Sequence, residues 1–330
     1  MIGITRCQVV ECLSFHATYR CRHSGVCCQA GWNVPFTAEE RARVEPLQLV
    51  RSAFGCADRS GVSLAARRSD GACAFLEDTH RCAIHRVAGQ DALPESCRMF
   101  PRLVLHDALG SRLSLSHYCP TAAAMLFEGS GPVTIVNAPA SLTDVGPLDG
   151  LDARHEWPPL LREGVLTDLE SYRLWEVRGI ELLTAPERTA VAALRTLEEA
   201  TEIVGRWSPG GEALGDTIER AFMEVTERSV NSVHSDAALK RWLAARLFGN
   251  WIAYQGRGLE TIVRYLRACL DMFTVEVARD GNALEAIRRS DYLIVHEADS
   301  HEISDLLENR ATEVARYGLG LGPRTRPSDL

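Results

Sequence analysis

The sequence lacks any run approaching the ~20 apolar residues that cross a bilayer. Its opening stretch, Met1 to Cys12, has no basic cluster leading into an apolar segment, so no secretory leader is expected. No membrane association is expected, and the cytoplasm is the expected compartment. Positive charge is also in deficit: the formal net charge is −8 and the pI about 5.7. That balance argues against a broad nucleic-acid-binding surface, although a local basic strip is compatible with it. There is no internal repeat and no low-complexity tract. No glycine-rich loop follows a strand to cradle a nucleotide. Gly210-Gly211 with Gly215 falls between helical segments and reads as a helix junction. With 46% hydrophobic and 24% charged residues over a length of 330, the chain has the composition of one large or two ordinary globular domains.

Cysteine, by contrast, is concentrated. Ten of the eleven lie within residues 1–119, and Cys269 alone lies beyond. Where thiols are kept reduced, such a cluster reads as metal binding or catalysis rather than as a disulfide framework, and the odd total fits full pairing poorly. Cys269, on a helical pattern, and Cys56 suit a structural role better. The ordered groups are Cys21-x5-Cys27-Cys28, Cys73-x8-Cys82-x2-His85, Pro94-x2-Cys97 and Cys119-Pro120. Thiolates are soft ligands for zinc or iron–sulfur clusters. Gly25, Gly31, Gly71 and Gly89 let the chain bend back near a metal. The candidate metal ligands are therefore Cys21, Cys27, Cys28, Cys73, Cys82, His85, Cys97 and Cys119. His85 reads equally well as a group behind the ligands, and His23, His80 and His117 read as bystanders.

A single zinc takes four ligands, so seven cysteines and a histidine imply either one cluster with extra thiols behind it or two metal sites. The absence of C-x2-C pairs places iron–sulfur ahead of zinc. Arg98 and Arg102 either neutralise an anionic cluster or bind a carboxylate, the former being preferred. Trp32 is expected to shield the metal from water. No catalytic base can be named.

Patterning predicts an α-rich protein with minor β structure: an irregular cysteine-rich metal-binding domain with a small β-hairpin, followed by an all-α bundle. Thr37 and Glu40 form a capping box for a helix expected to run to about Ser52, interrupted near Pro46. Leu103-Val104-Leu105 and Leu113-Ser114-Leu115 flank a turn and predict the hairpin. A short helix is expected over Thr121 to Phe127. From residue 160 onward, six segments (160–184, 186–206, 212–230, 235–255, 258–278 and 282–316) carry apolar residues at helical spacing. Trp242, Phe248, Trp251 and Tyr254 are expected in the core or at a domain interface, and Glu297 to Glu308 on a solvated helix face. The expected organisation is 1–130 cysteine domain, 131–159 connection, 160–317 helical domain and 318–330 tail.

Several separated motifs follow in one order: Tyr19-Arg20-Cys21, Cys27-Cys28-Gln29-Ala30-Gly31-Trp32, Cys73-Ala74-Phe75-Leu76, Cys82-Ala83-Ile84, Cys97-Arg98-Met99-Phe100-Pro101-Arg102 and Ser114-Leu115-Ser116 leading to Cys119-Pro120. Together they resemble the flagellin lysine N-methylase family, within the wider group of zinc- or iron-chelating cysteine-cluster proteins. The resemblance covers about residues 19–127 and continues weakly into Trp175–Leu197. It implies an iron–sulfur cluster, S-adenosylmethionine as methyl donor, and a lysine-bearing protein substrate, flagellin or another surface protein. The chain departs from radical enzymes that use this cofactor in lacking a C-x3-C-x2-C triplet, and it is short for the family. Two other readings stand beside it: a non-enzymatic module stabilised by zinc or iron, and an electron-transfer protein.

Overall fold

The computed structural model describes residues 9–227 and 236–297. The chain begins with β1 (Val10–Leu13), α1 (Val26–Gln29), β2 (Pro35–Phe36), α2 (Ala38–Val44) and β3 (Ser63–Leu64). It continues through α3 (Ala83–Ala88), α4 (Glu95–Met99), β4 (Arg102–Asp107), β5 (Gly110–Leu115) and α5 (Pro120–Glu128). Then come β6 (Ile135–Asn137), α6 (Ala140–Thr143), β7 (Leu151–Asp152), β8 (Leu160–Arg162) and β9 (Val165–Leu166). Six longer helices follow: α7 (Leu169–Thr184), α8 (Ala190–Gly205), α9 (Leu214–Glu227), α10 (Ala237–Leu247), α11 (Leu259–Asp280) and α12 (Ala283–Tyr292). The protein is α-rich with minor β structure. Among the described residues no helix is long and apolar enough to cross a membrane.

The expected hairpin is β4–β5, paired antiparallel from Arg102↔Leu115 to Asp107↔Gly110. Its turn is fixed by Asp107, whose carboxylate accepts from the amides of Leu109 (2.7 Å) and Gly110 (3.1 Å). Gly110 has φ 146°, and a Cβ there would lie 2.7 Å from the Val9 carbonyl oxygen. Around this hairpin forms a five-stranded sheet in the order β6-β1-β5-β4-β7, with β1 parallel to β5. Strands β6 and β7 come from residues 131–159, so that stretch contributes both edges of the sheet. All six residues of β5, the middle strand, are buried.

The capping box forms as expected, Thr37 and Glu40 exchanging hydrogen bonds of 3.2 and 3.0 Å. The helix stops earlier than expected, however. Pro46 turns residues 45–47 into a 3-10 turn, and Gln48 takes φ 47°, which ends it. Residues 160–166 form the β8–β9 hairpin instead of opening a helix. Gly164 (φ 75°) makes its turn, and Asp168 caps α7 by accepting from the Ser171 amide at 2.7 Å.

The helices enclose the main core, in which Trp175, Trp242 and Leu194 are fully buried. Trp242 and Phe248 are core residues as expected, and the half-buried Tyr254 packs against the same core with Trp251 stacked on it. Gly210 and Gly211 do lie between α8 and α9. The continuation of the helical pattern beyond residue 297, the face expected over Glu297 to Glu308 past its first residue, and the expected tail lie outside the described residues.

Candidate metal centre

The cysteines are placed by short elements that cannot stand alone. A small apolar cluster of Phe36, Val44, Phe75, Ile84 and Leu93 backs the Cys73 loop, α3 and α4 together. Phe54 meets Phe36 and Phe75 at ring distances of 5.0 and 5.6 Å. Glu40 links this cluster to the site. One of its oxygens closes the capping box of α2, and the other accepts from the Glu95 amide at 2.8 Å, at the N-terminus of the helix that carries Cys97.

Gly25 turns the chain into α1, with φ 69° and its Cα so close to the His80 backbone that a Cβ would sit 2.2 Å from that carbonyl oxygen. Gly25→Ala is therefore expected to force the Cys27-Cys28 segment away from the Cys82 segment. Its metal affinity should fall at least ~10-fold, the scale seen when a group supporting a ligand is lost. A chelator-competition titration measures it, and wild-type affinity would refute the role given to this turn.

The backbone binds the two halves of the cluster directly, since the Cys73 amide donates to the Cys28 carbonyl at 2.8 Å. Cys82 and Cys119 occupy the N-cap positions of α3 and α5. Backbone amides at a helix start favour negative charge, which suits a thiolate.

Side chains then converge on Cys28, which has the thiols of Cys27, Cys73 and Cys82 as neighbours. The Cys28 thiol beside them holds all three below the usual thiol range, although burial opposes it. Cys82 is brought to about 7, helped by the His85 and Ile84 amides. Cys28 itself is raised by the same three neighbours and by burial. Cys97 adjoins this group and is pushed up by burial and then by Cys27, Cys82 and Cys73.

Cys21 and Cys119 form the other end of the site with Tyr19, whose hydroxyl lies 3.8 Å from the Cys119 sulfur. Burial raises Cys21, and the His23 amide donates to its sulfur at 3.4 Å. All the expected ligands except Cys73 line one cavity of about 550 Å3. His85 is among them, its ring 4.3 Å from that of His23, with burial keeping it neutral to lower pH.

Three features were not legible in the sequence. His23, read as a bystander, lines the cavity, as do Tyr19 and Arg20. Trp32 does not line it: its ring lies among those of Phe100, Tyr118, Tyr292 and His296, at 4.7 to 6.2 Å, and so joins the cysteine region to the end of α12. Cys56, read as a structural thiol, is exposed, while Cys269 is buried in the helical core as its helical pattern predicts.

Among the described residues, no three His, Cys, Asp or Glu side chains surround a common point in metal-holding geometry. The thiols are gathered rather than preset. The donor set nonetheless fits a soft metal: three sulfurs disposed toward thiolate gathered about that of Cys28, with three more cysteines close by. Residues 20–120 match the family model of a zinc- or iron-chelating domain named for its CxxCxxCC pattern, a match covering under a third of the chain. No curated protein and no solved structure matches. In both its donor chemistry and this match, the cysteine region is similar to a zinc- or iron-chelating domain.

Proposed function

We propose that this region holds iron as an iron–sulfur cluster, with zinc as the alternative metal, through Cys27, Cys28, Cys73 and Cys82 and the adjoining Cys97, Cys21 and Cys119. The observation that carries this reading is the convergence of Cys27, Cys73 and Cys82 on Cys28, beside one cavity that Cys27, Cys28 and Cys82 line together with Cys21, Cys97 and Cys119. Thiolate ligation of iron with sulfide gives a brown protein with a broad band near ~400 nm. Anaerobic purification with iron, acid-labile sulfide and zinc analysis tests it. Stoichiometric zinc in a colourless protein would exclude the iron–sulfur form, and absence of both metals would exclude the site.

A second observation favours the finer reading of an S-adenosylmethionine-dependent protein lysine N-methyltransferase of the flagellin-methylase type. A cleft of about 890 Å3 lies between the cysteine region and the helices, within the ~300–1,000 Å3 common for ligand pockets. Its walls include Phe248, Trp251 and Tyr265, together with the carboxylates of Glu95 and Asp149. Helix α4 separates it from the metal cavity, offering Ser96 and Met99 to one side and Cys97 and Arg98 to the other, and Arg102 lines both.

In this reading the cofactor supplies an electrophilic methyl group. The cleft excludes water and holds the acceptor amine in line, where orientation carries most of the rate. The acceptor lies on another protein: Lys240 is the only lysine of the chain, and its ammonium is buried against the Ala185 and Arg188 carbonyls at 2.7 and 3.0 Å. Calorimetry with S-adenosylmethionine, followed by labelled-methyl transfer to flagellin, tests the assignment. No binding of the cofactor to metal-loaded protein would leave a non-enzymatic metal module.

A further inference from the structure

About half of the arginines among the described residues meet carboxylates. Arg22 meets Glu128, Arg86 meets Glu77, Arg178 meets Glu219 and Arg267 meets Glu198, all with at least two contacts of 3.1 Å or less. Arg98 and Arg20, which face the cysteine cavity, do not. Neither guanidinium has a hydrogen bond or carboxylate partner among the described residues, and the buried Nε of Arg98 is unsatisfied. Both line the cysteine cavity.

Arg102, on the same wall, is spent: it donates to the carbonyls of Leu142, Arg98 and Ser141 and lies over the Tyr19 ring. Arg98 is half-buried, and a guanidinium without an acceptor in a concave wall is a favourable place for one. The cavity also exceeds what a metal requires. A zinc ion with sulfurs ~2.3 Å away occupies little of about 550 Å3.

We propose that Arg98, assisted by Arg20, forms an oxyanion-binding subsite in the wall of the cysteine cavity, taking the carboxylate or phosphate of a small-molecule ligand held beside the metal. The planar fork of Arg98 suits two oxygens of one anion. Arg20, exposed at the rim, adds charge. The subsite rests on the metal reading only for its neighbour, since its own groups are not metal ligands.

Equilibrium dialysis of labelled inorganic phosphate and labelled oxalate against the full, metal-loaded chain at low ionic strength tests the subsite. The stronger-bound probe identifies the ligand class. Saturable binding is expected for at least one, weakened about 10-fold to 100-fold in Arg98→Gln, as for loss of charge-assisted hydrogen bonds. Arg20→Gln, a change at an exposed position, should weaken it several-fold with metal content unchanged, and it serves if Arg98→Gln fails to fold.

Wild-type anion affinity in both variants would mean that the anion sits on the metal, which overturns the subsite. Loss of anion binding in the variants with equal metal content supports it. No saturable binding to wild-type protein overturns the subsite while leaving the metal reading intact. Arginine-dependent binding to a chain that takes up neither iron nor zinc supports the subsite and ends the metal reading.

Discussion

Replacing Cys28 with alanine is expected to abolish tight metal binding. Its sulfur contacts those of Cys27, Cys73 and Cys82, so its loss removes one donor and the centre about which the other three are gathered. The fold around it should survive, because the backbone bond from Cys73 to the Cys28 carbonyl needs no side chain. Loss of a group that merely supports a ligand weakens a metal site ~10–100-fold, and loss of the central ligand should exceed ~100-fold.

Metal-to-protein ratio and chelator competition measure the effect. Cys269→Ala provides the contrast: that thiol lies in the helical core, so the variant should lose stability and keep its metal. A Cys28→Ala protein with wild-type stoichiometry and affinity would refute the centre described here. Removing the metal from wild-type protein should loosen residues 21–99 first, since their apolar support is small, and leave the five-stranded sheet and most of the helical signal of α7 to α12 in place.

Asp291→Asn is expected to destabilise the protein by ~3–5 kcal/mol, the usual result of removing one partner from a buried charge pair. The Asp291 carboxylate is fully buried. It accepts from Trp242 Nε1 at 2.9 Å, Ser116 Oγ at 3.1 Å and the His117 amide at 2.7 Å, and Arg246 Nε lies 3.5 Å away. These partners tie α12 to α10 and to the turn that leads into Cys119. Burial alone would raise the Asp291 pKa, but Arg246 and the hydrogen bonds from His117 and Trp242 hold it well below the usual carboxylate range. The asparagine would leave the buried Arg246 without a countercharge. Thermal or urea unfolding measures the loss, and a change under ~1 kcal/mol would contradict this account.

The same network makes stability depend on pH in a definite direction. His16 and His117, fully buried with Nε2 atoms 3.1 Å apart, both have lowered pKa values, chiefly through burial. Below ~6.5 an unfolded histidine binds a proton that these folded ones do not, so stability falls as pH drops from there. Asp291 acts in the same sense at lower pH, because its depressed pKa contributes stability above ~4 that is lost on further acidification. Midpoint temperatures should therefore fall between pH 7.5 and 5, and fall again below ~4. His16→Leu should flatten the first decline, and an unchanged slope would show that His16 does not carry it.

The sequence by itself determined the parts whose chemistry is local. The capping box of Thr37 and Glu40 needs only a spacing of three residues, and β4–β5 needs alternation and a turn bearing Asp107 and Gly110. The helical stripes of α7 to α12 follow from period alone. The cysteine set was legible because thiols at turn positions have few uses where they stay reduced.

Local pattern failed where geometry overrode it. Leu160 to Leu166 has helix-like spacing, yet Gly164 and the Asp168 cap make it a hairpin. What only the tertiary structure decided was partnership across the chain. That Cys28 stands at the centre, that Trp32 joins the end of α12 rather than covering the metal, and that Arg98 is left without a partner depend on segments 45 to 264 residues apart meeting. Sequence spacing does not encode such meetings, because they are set by which apolar surfaces bury against one another, and that is a property of the whole packed chain.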